Sequence, residues 1–150
     1  MKVVSHEGGV YVIRLERGEE FLFALKKFCW EKKIEAGYFS AIGAAQKVTL
    51  SFYDAVLKKY DDKEFGELAP LETGKSLTGL EIVSLNGNVA MMKDEVIIHT
   101  HGCFSDREFR THAGHVKQCT VGPTCEIILT HLVHPIHREP DEETGLNLLQ

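Results

Sequence analysis

Val96-Ile97-Ile98-His99-Thr100-His101 is an apolar run that ends in two histidines separated by one residue. We predict that it belongs to a strand over Glu95 to Phe104. Side chains alternate between the two faces of a strand, so His99 and His101 point the same way, roughly 7 Å apart along the backbone. Two imidazoles placed in this way can bind one ion, and a third from a neighbouring strand would complete a three-histidine metal site.

Two downstream histidines compete for the third position. His112 and His115 differ by three residues, so on a regular strand they face opposite ways, and only one joins unless a bulge intervenes. Gly114 lets the backbone approach closely before His115, and we favour His115, with His112 in reserve. Three histidines leave a fourth position open, as catalytic zinc sites do. Neutral imidazoles without thiolates suit Zn²⁺, although Ni²⁺, Co²⁺ or Fe²⁺ would also fit.

One acidic residue and two thiols are further candidates near such a site. Glu126 interrupts the apolar strand that opens at Gly122-Pro123-Thr124-Cys125. One interpretation makes Glu126 a catalytic general acid or base near the metal, and the other pairs it with a basic residue at a subunit interface. Cys103 and Cys119 lie at even spacing from a proposed ligand, but buried thiols are the more ordinary outcome for both.

The segments around this centre predict one helix and many short strands. A stripe of Phe21, Leu22, Leu25, Phe28 and Cys29 indicates an amphipathic helix over Glu19 to Lys33. Asn86-Gly87 is a strong tight-turn signal between two strands. The predicted strands cover Val10–Leu15, Tyr38–Ile42, Val48–Tyr53, Leu57–Tyr60, Leu80–Leu85, Asn88–Met92, His112–Val121 and Cys125–Val133, with Asp61–Leu77 turn-like apart from a short strand near Lys63-Phe65. We therefore predict an α+β fold with a largely antiparallel sheet.

The composition predicts one soluble domain. The 150 residues are 43% hydrophobic and 26% charged, with a formal net charge of −5. We assign residues 1–134 to the domain and residues 135–150 to a polar C-terminal tail. The lysine pairs are isolated and flanked by acids, so direct binding to nucleic acid is disfavoured. The four cysteines form no C-x-x-C pair, and with no apolar leader or membrane span we expect a cytoplasmic protein without a membrane partner.

Several motifs occur in the order found in one family. They are Gly18-Glu19-Glu20, Gly37 to Ala44, Gly79 to Asn88, His99-Thr100-His101, Ala113-Gly114-His115 and Thr120 to Glu126. The chain thereby resembles the PPC domain (plants and prokaryotes conserved), which also forms the C-terminal part of plant AT-hook nuclear-localised proteins. The resemblance covers roughly Val10 to Val133.

The resemblance implies a homotrimer and a metal site. Prokaryotic members carry histidines that can bind zinc, and that pattern falls on His99, His101 and His115. The fold is similar to that of acetolactate decarboxylase, a three-histidine zinc enzyme. These expectations favour a trimeric metal-binding protein that takes a small carbonyl or carboxylate compound, with transformation of that compound left open.

Two other roles stay open. The first is a DNA-binding or transcription-associated regulatory module that acts as a trimeric platform. This chain has no Arg-Gly-Arg arm of the AT-hook kind, so that minor-groove mechanism is not implied. The second is a purely structural metal, which predicts a closed fourth position.

Overall fold

The computed structural model describes residues 1–66 and 79–150. Within this part of the chain, the elements in chain order are β1 (Lys2–Glu7), β2 (Val10–Glu16), α1 (Phe21–Lys32), β3 (Gly37–Asp54), β4 (Lys59–Phe65), β5 (Leu80–Met92), β6 (Glu95–Ser105), β7 (Thr111–His131), β8 (Arg138–Pro140) and β9 (Asn147–Leu149). The predicted α+β class with one main helix is confirmed. None of the described helical residues forms a helix long and apolar enough to cross a membrane.

The seven larger strands form one antiparallel sheet in the order β1-β2-β7-β6-β5-β3-β4. An additional pairing of β7 with β3 closes β3, β5, β6 and β7 into a ring. The inward side chains of this ring, among them Phe39, Leu85, Phe104 and Leu129, are fully buried. The outward side chains of the same strands are therefore the ones available for a site.

Helix α1 begins two residues later than predicted because Glu20 caps it. The Glu20 carboxylate accepts a hydrogen bond from the Phe23 N–H at 2.6 Å and a second from the Cys119 N–H at 3.1 Å. Lys33 ends the helix in the left-handed conformation, with φ of 55°. The buried face of the helix contains Phe21, Ala24, Leu25, Phe28 and Cys29. The predicted helix is confirmed to within two residues at each end.

The predicted turn at Asn86-Gly87 is wrong, because both residues lie inside the continuous strand β5. A Cβ at Gly87 would overlap the carbonyl oxygen of His99 and lie 2.5 Å from Phe39 Cζ. Gly87 is therefore needed for close packing rather than for a turn. The chain reverses at Lys93 and Asp94 instead, where Lys93 has a φ of 54°.

Besides the pair joined in β5, two further pairs of predicted strands each form one long, bent strand. β3 runs through Gly43, where the pairing with β5 and β7 shifts register. Gly43 has a φ of 148°, and a Cβ there would overlap the Thr124 carbonyl oxygen of β7. β7 likewise continues through Gly122-Pro123. The bulges let long strands bend around the ring, and sequence signals that resemble strand ends mark these bends.

The remaining differences lie at the periphery. Strand β1 was not predicted, and its side chains are all exposed at the sheet edge. Strand β4 begins at Lys59, two residues after the start of the predicted Leu57–Tyr60 strand, and continues through the predicted short strand near Lys63-Phe65. Positions 67–77 of the turn-like segment lie outside the described residues. The segment 135–150 contains strands β8 and β9, which pair with each other. The division into a domain 1–134 and a tail 135–150 stays a prediction.

Candidate metal centre

Three histidine rings form a nearly equilateral triangle on the outer face of the ring of strands. The ring centroids of His99, His101 and His115 are 5.2, 5.2 and 5.3 Å apart. One nitrogen from each ring lies within 4.8 Å of the other two. Zinc bonds of about 2.0–2.1 Å in tetrahedral geometry place ligand nitrogens roughly 3.3 Å apart. Small side-chain rotations would therefore bring the three nitrogens to one ion.

The strand register explains why these rings converge. His99 and His101 share one face of β6, and His101 lies directly opposite His115 of β7. The intervening Thr100 points to the other face and is buried. A register shift of one residue would turn His115 toward the core, so the β6–β7 pairing fixes the triangle.

His115 provides a buried nitrogen without a hydrogen-bond partner. Its Nδ1 is fully enclosed, and no described residue donates to it or accepts from it. Burial lowers the pKa of His115, the neighbouring His101 lowers it further, and Asp62 opposes the shift. The Tyr60 ring lies 5.3 Å from the imidazole. A buried imidazole nitrogen without a hydrogen-bond partner, on a ring whose pKa is lowered, fits a metal ligand.

His99 is in contact with an arginine from the C-terminal segment. Arg138 Nη2 lies 3.1 Å from His99 Nδ1 and donates to Asn88 Oδ1 at 2.8 Å. Burial lowers the pKa of His99 to about 4, with smaller contributions from the charge of Arg138 and from His115 and His101. His99 is therefore neutral at pH 7. Its Nδ1 lone pair is directed at the guanidinium, since arginine only donates.

The triangle lines a pocket of about 650 Å³. Tyr60 contributes one wall, Ile97 and Ile98 contribute an apolar surface, and Leu146 and Leu148 from the C-terminal segment contribute another. The pocket leaves room beside the three imidazoles for a small molecule.

The C-terminal segment is attached on both sides of this pocket. The Met91 N–H donates to the carbonyl of Ile136 at 2.7 Å, and Lys58 Nζ donates to the carbonyl of Glu142 at 2.7 Å. The Tyr53 hydroxyl donates to the carbonyl of Thr144. Residues 135–150 therefore connect the C-terminal end of β5 to the β3–β4 hairpin across the pocket.

The reserve ligand His112 lies on the other face of β7. It is paired with the buried Phe104, its Nε2 lies 3.1 Å from Asp106 Oδ2, and its ring stacks on Phe65. The structure does not bring it into the histidine cluster. The spacing of His112 and His115 left either one open as the third ligand, and the geometry favours His115.

Glu126 does not approach the histidines within one chain. It is exposed and pairs with Ile42 on β3, whereas His115 pairs with Ser51 on that strand. Ile42 and Ser51 are nine residues apart on β3, which corresponds to roughly 30 Å of extended strand. A catalytic role for Glu126 gains no support from this position, and its exposed apolar surroundings fit the interface alternative.

The two cysteine candidates lie outside the cluster. Cys119 is fully buried, because a register shift in β7 between Val116 and Gln118 turns it toward the core. Burial raises the pKa of the Cys119 thiol well above its ordinary range. Cys103 shares the face of His101 but is paired with Ala113 and joins no group of candidate ligands. All four cysteines are free thiols.

Sequence reasoning missed Arg138. It lies 39 positions after His99, in a segment whose composition indicates only a polar tail. Neither periodicity nor motif spacing marks a residue that reaches a site through a separate hairpin.

The fold and the cluster define a single-domain, mostly antiparallel β protein with one helix and three histidines able to hold a metal ion. The sequence profile of the Plants and Prokaryotes Conserved (PCC) domain matches residues 3–133, and the chain belongs to this family. The match confirms the resemblance drawn from the motifs. Comparison with curated proteins gave no significant match.

Solved structures of two other proteins share the fold over nearly the whole chain. A candidate DNA-binding protein from Bacteroides thetaiotaomicron is 29% identical, with a TM-score of 0.87 over 97% of this chain and 94% of that chain. A metal-containing protein from Archaeoglobus fulgidus is 31% identical, with a TM-score of 0.81 over 100% of this chain and 99% of that one.

The expected likeness to acetolactate decarboxylase is confirmed for the fold alone. The α-acetolactate decarboxylase of Bacillus subtilis is 11% identical, with a TM-score of 0.54 over 91% of this chain and 58% of that chain.

Proposed function

We propose that His99, His101 and His115 bind a divalent transition metal ion, zinc in the first place, and that the protein takes a small carbonyl or carboxylate compound at this centre. The observation that carries the proposal is the triangle of imidazoles with nitrogens within 4.8 Å of one another. The donor set supports zinc, because three neutral nitrogens without a thiolate match its preferences. The metal-containing relative from Archaeoglobus fulgidus gives independent support.

The pocket favours an open centre over a purely structural metal. The protein supplies three donors that lie beside about 650 Å³ of free space. Zinc held by the three histidines would supply Lewis acidity toward an oxygen of a carbonyl or carboxylate compound. The chain itself lowers the pKa of His99 and of His115 by burial and provides the apolar wall of Ile97 and Ile98. No second residue is assigned to proton transfer, since Glu126 is remote from the cluster.

Metal analysis of protein purified without an affinity tag tests this function. We expect about one zinc ion, or another divalent transition metal ion, per chain. A protein without stoichiometric metal that also fails to take up added Zn²⁺ would overturn the proposal.

We also propose that the protein is a homotrimer, as its family resemblance implies. Support comes from the outer face of the sheet, where Tyr38, Ile42, Val83 and Ile128 are each more than half exposed. They lie on the neighbouring strands β3, β5 and β7. Exposed apolar clusters of this kind are typical of subunit interfaces.

DNA binding is the second candidate function. It is favoured by the descriptions of two similar structures, from Bacteroides thetaiotaomicron and Ralstonia eutropha, as candidate DNA-binding proteins. The net charge of −5 weighs against it, because phosphate contacts need concentrated lysine and arginine. A gel-shift titration at physiological salt decides the matter. We expect no shift up to high micromolar protein, whereas a salt-sensitive shift would establish the alternative.

A further inference from the structure

Arg138 is a partly buried cation whose hydrogen-bond acceptors are all neutral. Nη2 contacts Asn88 Oδ1 and His99 Nδ1, and Nη1 donates to the carbonyl of Asn147 at 2.8 Å. Among the residues described, no carboxylate lies within ion-pair distance of the guanidinium. A charge removed from water without a counter-ion is unfavourable. The position therefore favours an anion as a further partner of Arg138.

The guanidinium also has an unused donor. Its Nε is buried and has no hydrogen-bond partner among the described residues. Nε and Nη2 form one edge of the planar group, and this edge binds both oxygens of a carboxylate in parallel. At present, Nη2 is engaged by His99 and Asn88, so the edge is only half available.

A metal ion would compete with Arg138 for His99. A neutral imidazole has one nitrogen that carries a proton and one that carries a lone pair. While His99 Nδ1 accepts from Arg138 Nη2, its proton is on Nε2, and neither nitrogen offers a lone pair to a metal. His99 can become a ligand only when Nη2 releases it, and that release leaves Nη2 with an N–H beside the one donated to Asn88. Together with Nε, this N–H is available to a further acceptor.

We propose that Arg138 is the anion-binding residue of this pocket, and that metal loading makes its Nε–Nη2 edge available to the carboxylate of a small ligand. The inference rests on the proposed three-histidine metal site and deepens it by naming a residue and an order of binding, metal first. Because Ile97, Ile98 and Leu148 line the same pocket, the ligand is a short carboxylate with an apolar remainder.

Matched probes test the anion requirement. The full-length protein is loaded with Co²⁺, and the visible absorption of the ion is followed while butanoate or the neutral butanamide is added. We expect butanoate to bind at least about tenfold more tightly than butanamide, since charged hydrogen bonds are stronger than neutral ones. Calorimetry with metal-free protein is expected to show no butanoate binding.

Three variants assign the effect to Arg138. Arg138→Gln is expected to keep Co²⁺ binding and to lose at least about tenfold in butanoate affinity. Arg138→Lys keeps the charge but not the planar edge, and we expect an intermediate loss. Arg107→Gln, at an exposed loop arginine, is the matched control and should leave both affinities unchanged.

The outcomes separate the two proposals. Failure of the wild-type protein to bind Co²⁺ would overturn the metal site and this inference with it. Normal Co²⁺ binding with equal butanoate affinity in the wild type and Arg138→Gln would overturn the inference alone, as would absent butanoate binding or equal affinity for butanamide. Butanoate binding to metal-free protein would refute the order. If Arg138→Gln does not fold, Arg138→Lys carries the same comparison.

Discussion

His101 of β6 lies directly opposite His115 of β7, and their ring centroids are 5.3 Å apart. Two adjacent strands thus share the candidate centre, and their hydrogen-bonded register sets its geometry. His99 adds the third ring from two residues earlier on β6. A site built on paired strands is held in place by the backbone itself, and the change that metal binding requires is the release of His99 by Arg138.

Loss of one histidine should abolish tight metal binding. We expect His99→Ala to weaken zinc affinity by at least about 100-fold, because loss of even an outer-shell partner of a metal ligand costs roughly 10–100-fold. Competition with a chromophoric chelator measures the change. His112→Ala is the matched control, since His112 is bonded to Asp106 on the other face and should leave zinc affinity unchanged. Equal losses in both variants would contradict the assignment.

The metal-free protein should lose stability in mild acid. Burial lowers the pKa of His99 from its ordinary 6.5 to about 4 in the folded chain, so the unfolded chain binds the proton more readily. Stability is then complete above pH 6.5 and falls as the pH drops toward 4, by about 1–2 kcal/mol from this group after allowance for solvent screening. His115 shifts in the same direction. Denaturant unfolding in the presence of a chelator, at pH 7.5 and pH 5, measures the loss.

The variant His99→Gln provides the comparison for this pH effect. It lacks the titrating imidazole, so its stability should change less between the two pH values than that of the wild type. An equal change in both proteins would show that His99 does not contribute.

The local part of the fold and site could be predicted from sequence because it depends on alternation and periodicity. The spacing of His99 and His101 fixes their common face, and the apolar stripe from Phe21 to Cys29 fixes the helix. The odd spacing of His112 and His115 correctly implied that they face opposite ways. These inferences need only the geometry of a single strand or helix.

Features set by distant packing could not be predicted in this way. Asn86-Gly87 has the composition of a turn, but the Phe39 ring requires a glycine inside β5. Arg138 reaches His99 through a hairpin that docks on Met91 and Lys58, and nothing in its local sequence records those contacts. At Gly87 a long-range contact overrides the local pattern, and at Arg138 long-range contacts create an interaction that the local pattern does not contain.

Substitutions at two positions of the β5–β6 hairpin, Gly87 and Lys93, should have opposite effects on stability. Gly87→Ala should destabilise the protein by about 1–3 kcal/mol or more, because its Cβ would overlap the His99 carbonyl and the Phe39 ring. Lys93→Gly should be neutral or stabilising by about 1 kcal/mol, since Lys93 adopts a positive φ that glycine tolerates. Urea unfolding of both variants measures these changes. A Gly87→Ala variant as stable as the wild type would contradict the close packing at Gly87, and a clearly destabilised Lys93→Gly variant would contradict the turn at Lys93.

A charge on the outer face of the sheet should dissociate the proposed trimer. Ile128 is 56% exposed and lies two residues from Glu126, so Ile128→Glu would place a second carboxylate in the apolar cluster with Ile42. We expect the sedimentation coefficient to fall from that of a trimer to that of a monomer, while far-ultraviolet circular dichroism stays unchanged. Phe23→Glu is the matched control, because Phe23 is 68% exposed and belongs to helix α1, whereas the apolar cluster belongs to β3, β5 and β7. Dissociation by Phe23→Glu but not by Ile128→Glu would move the interface to the helix, and a monomeric wild type would exclude the trimer.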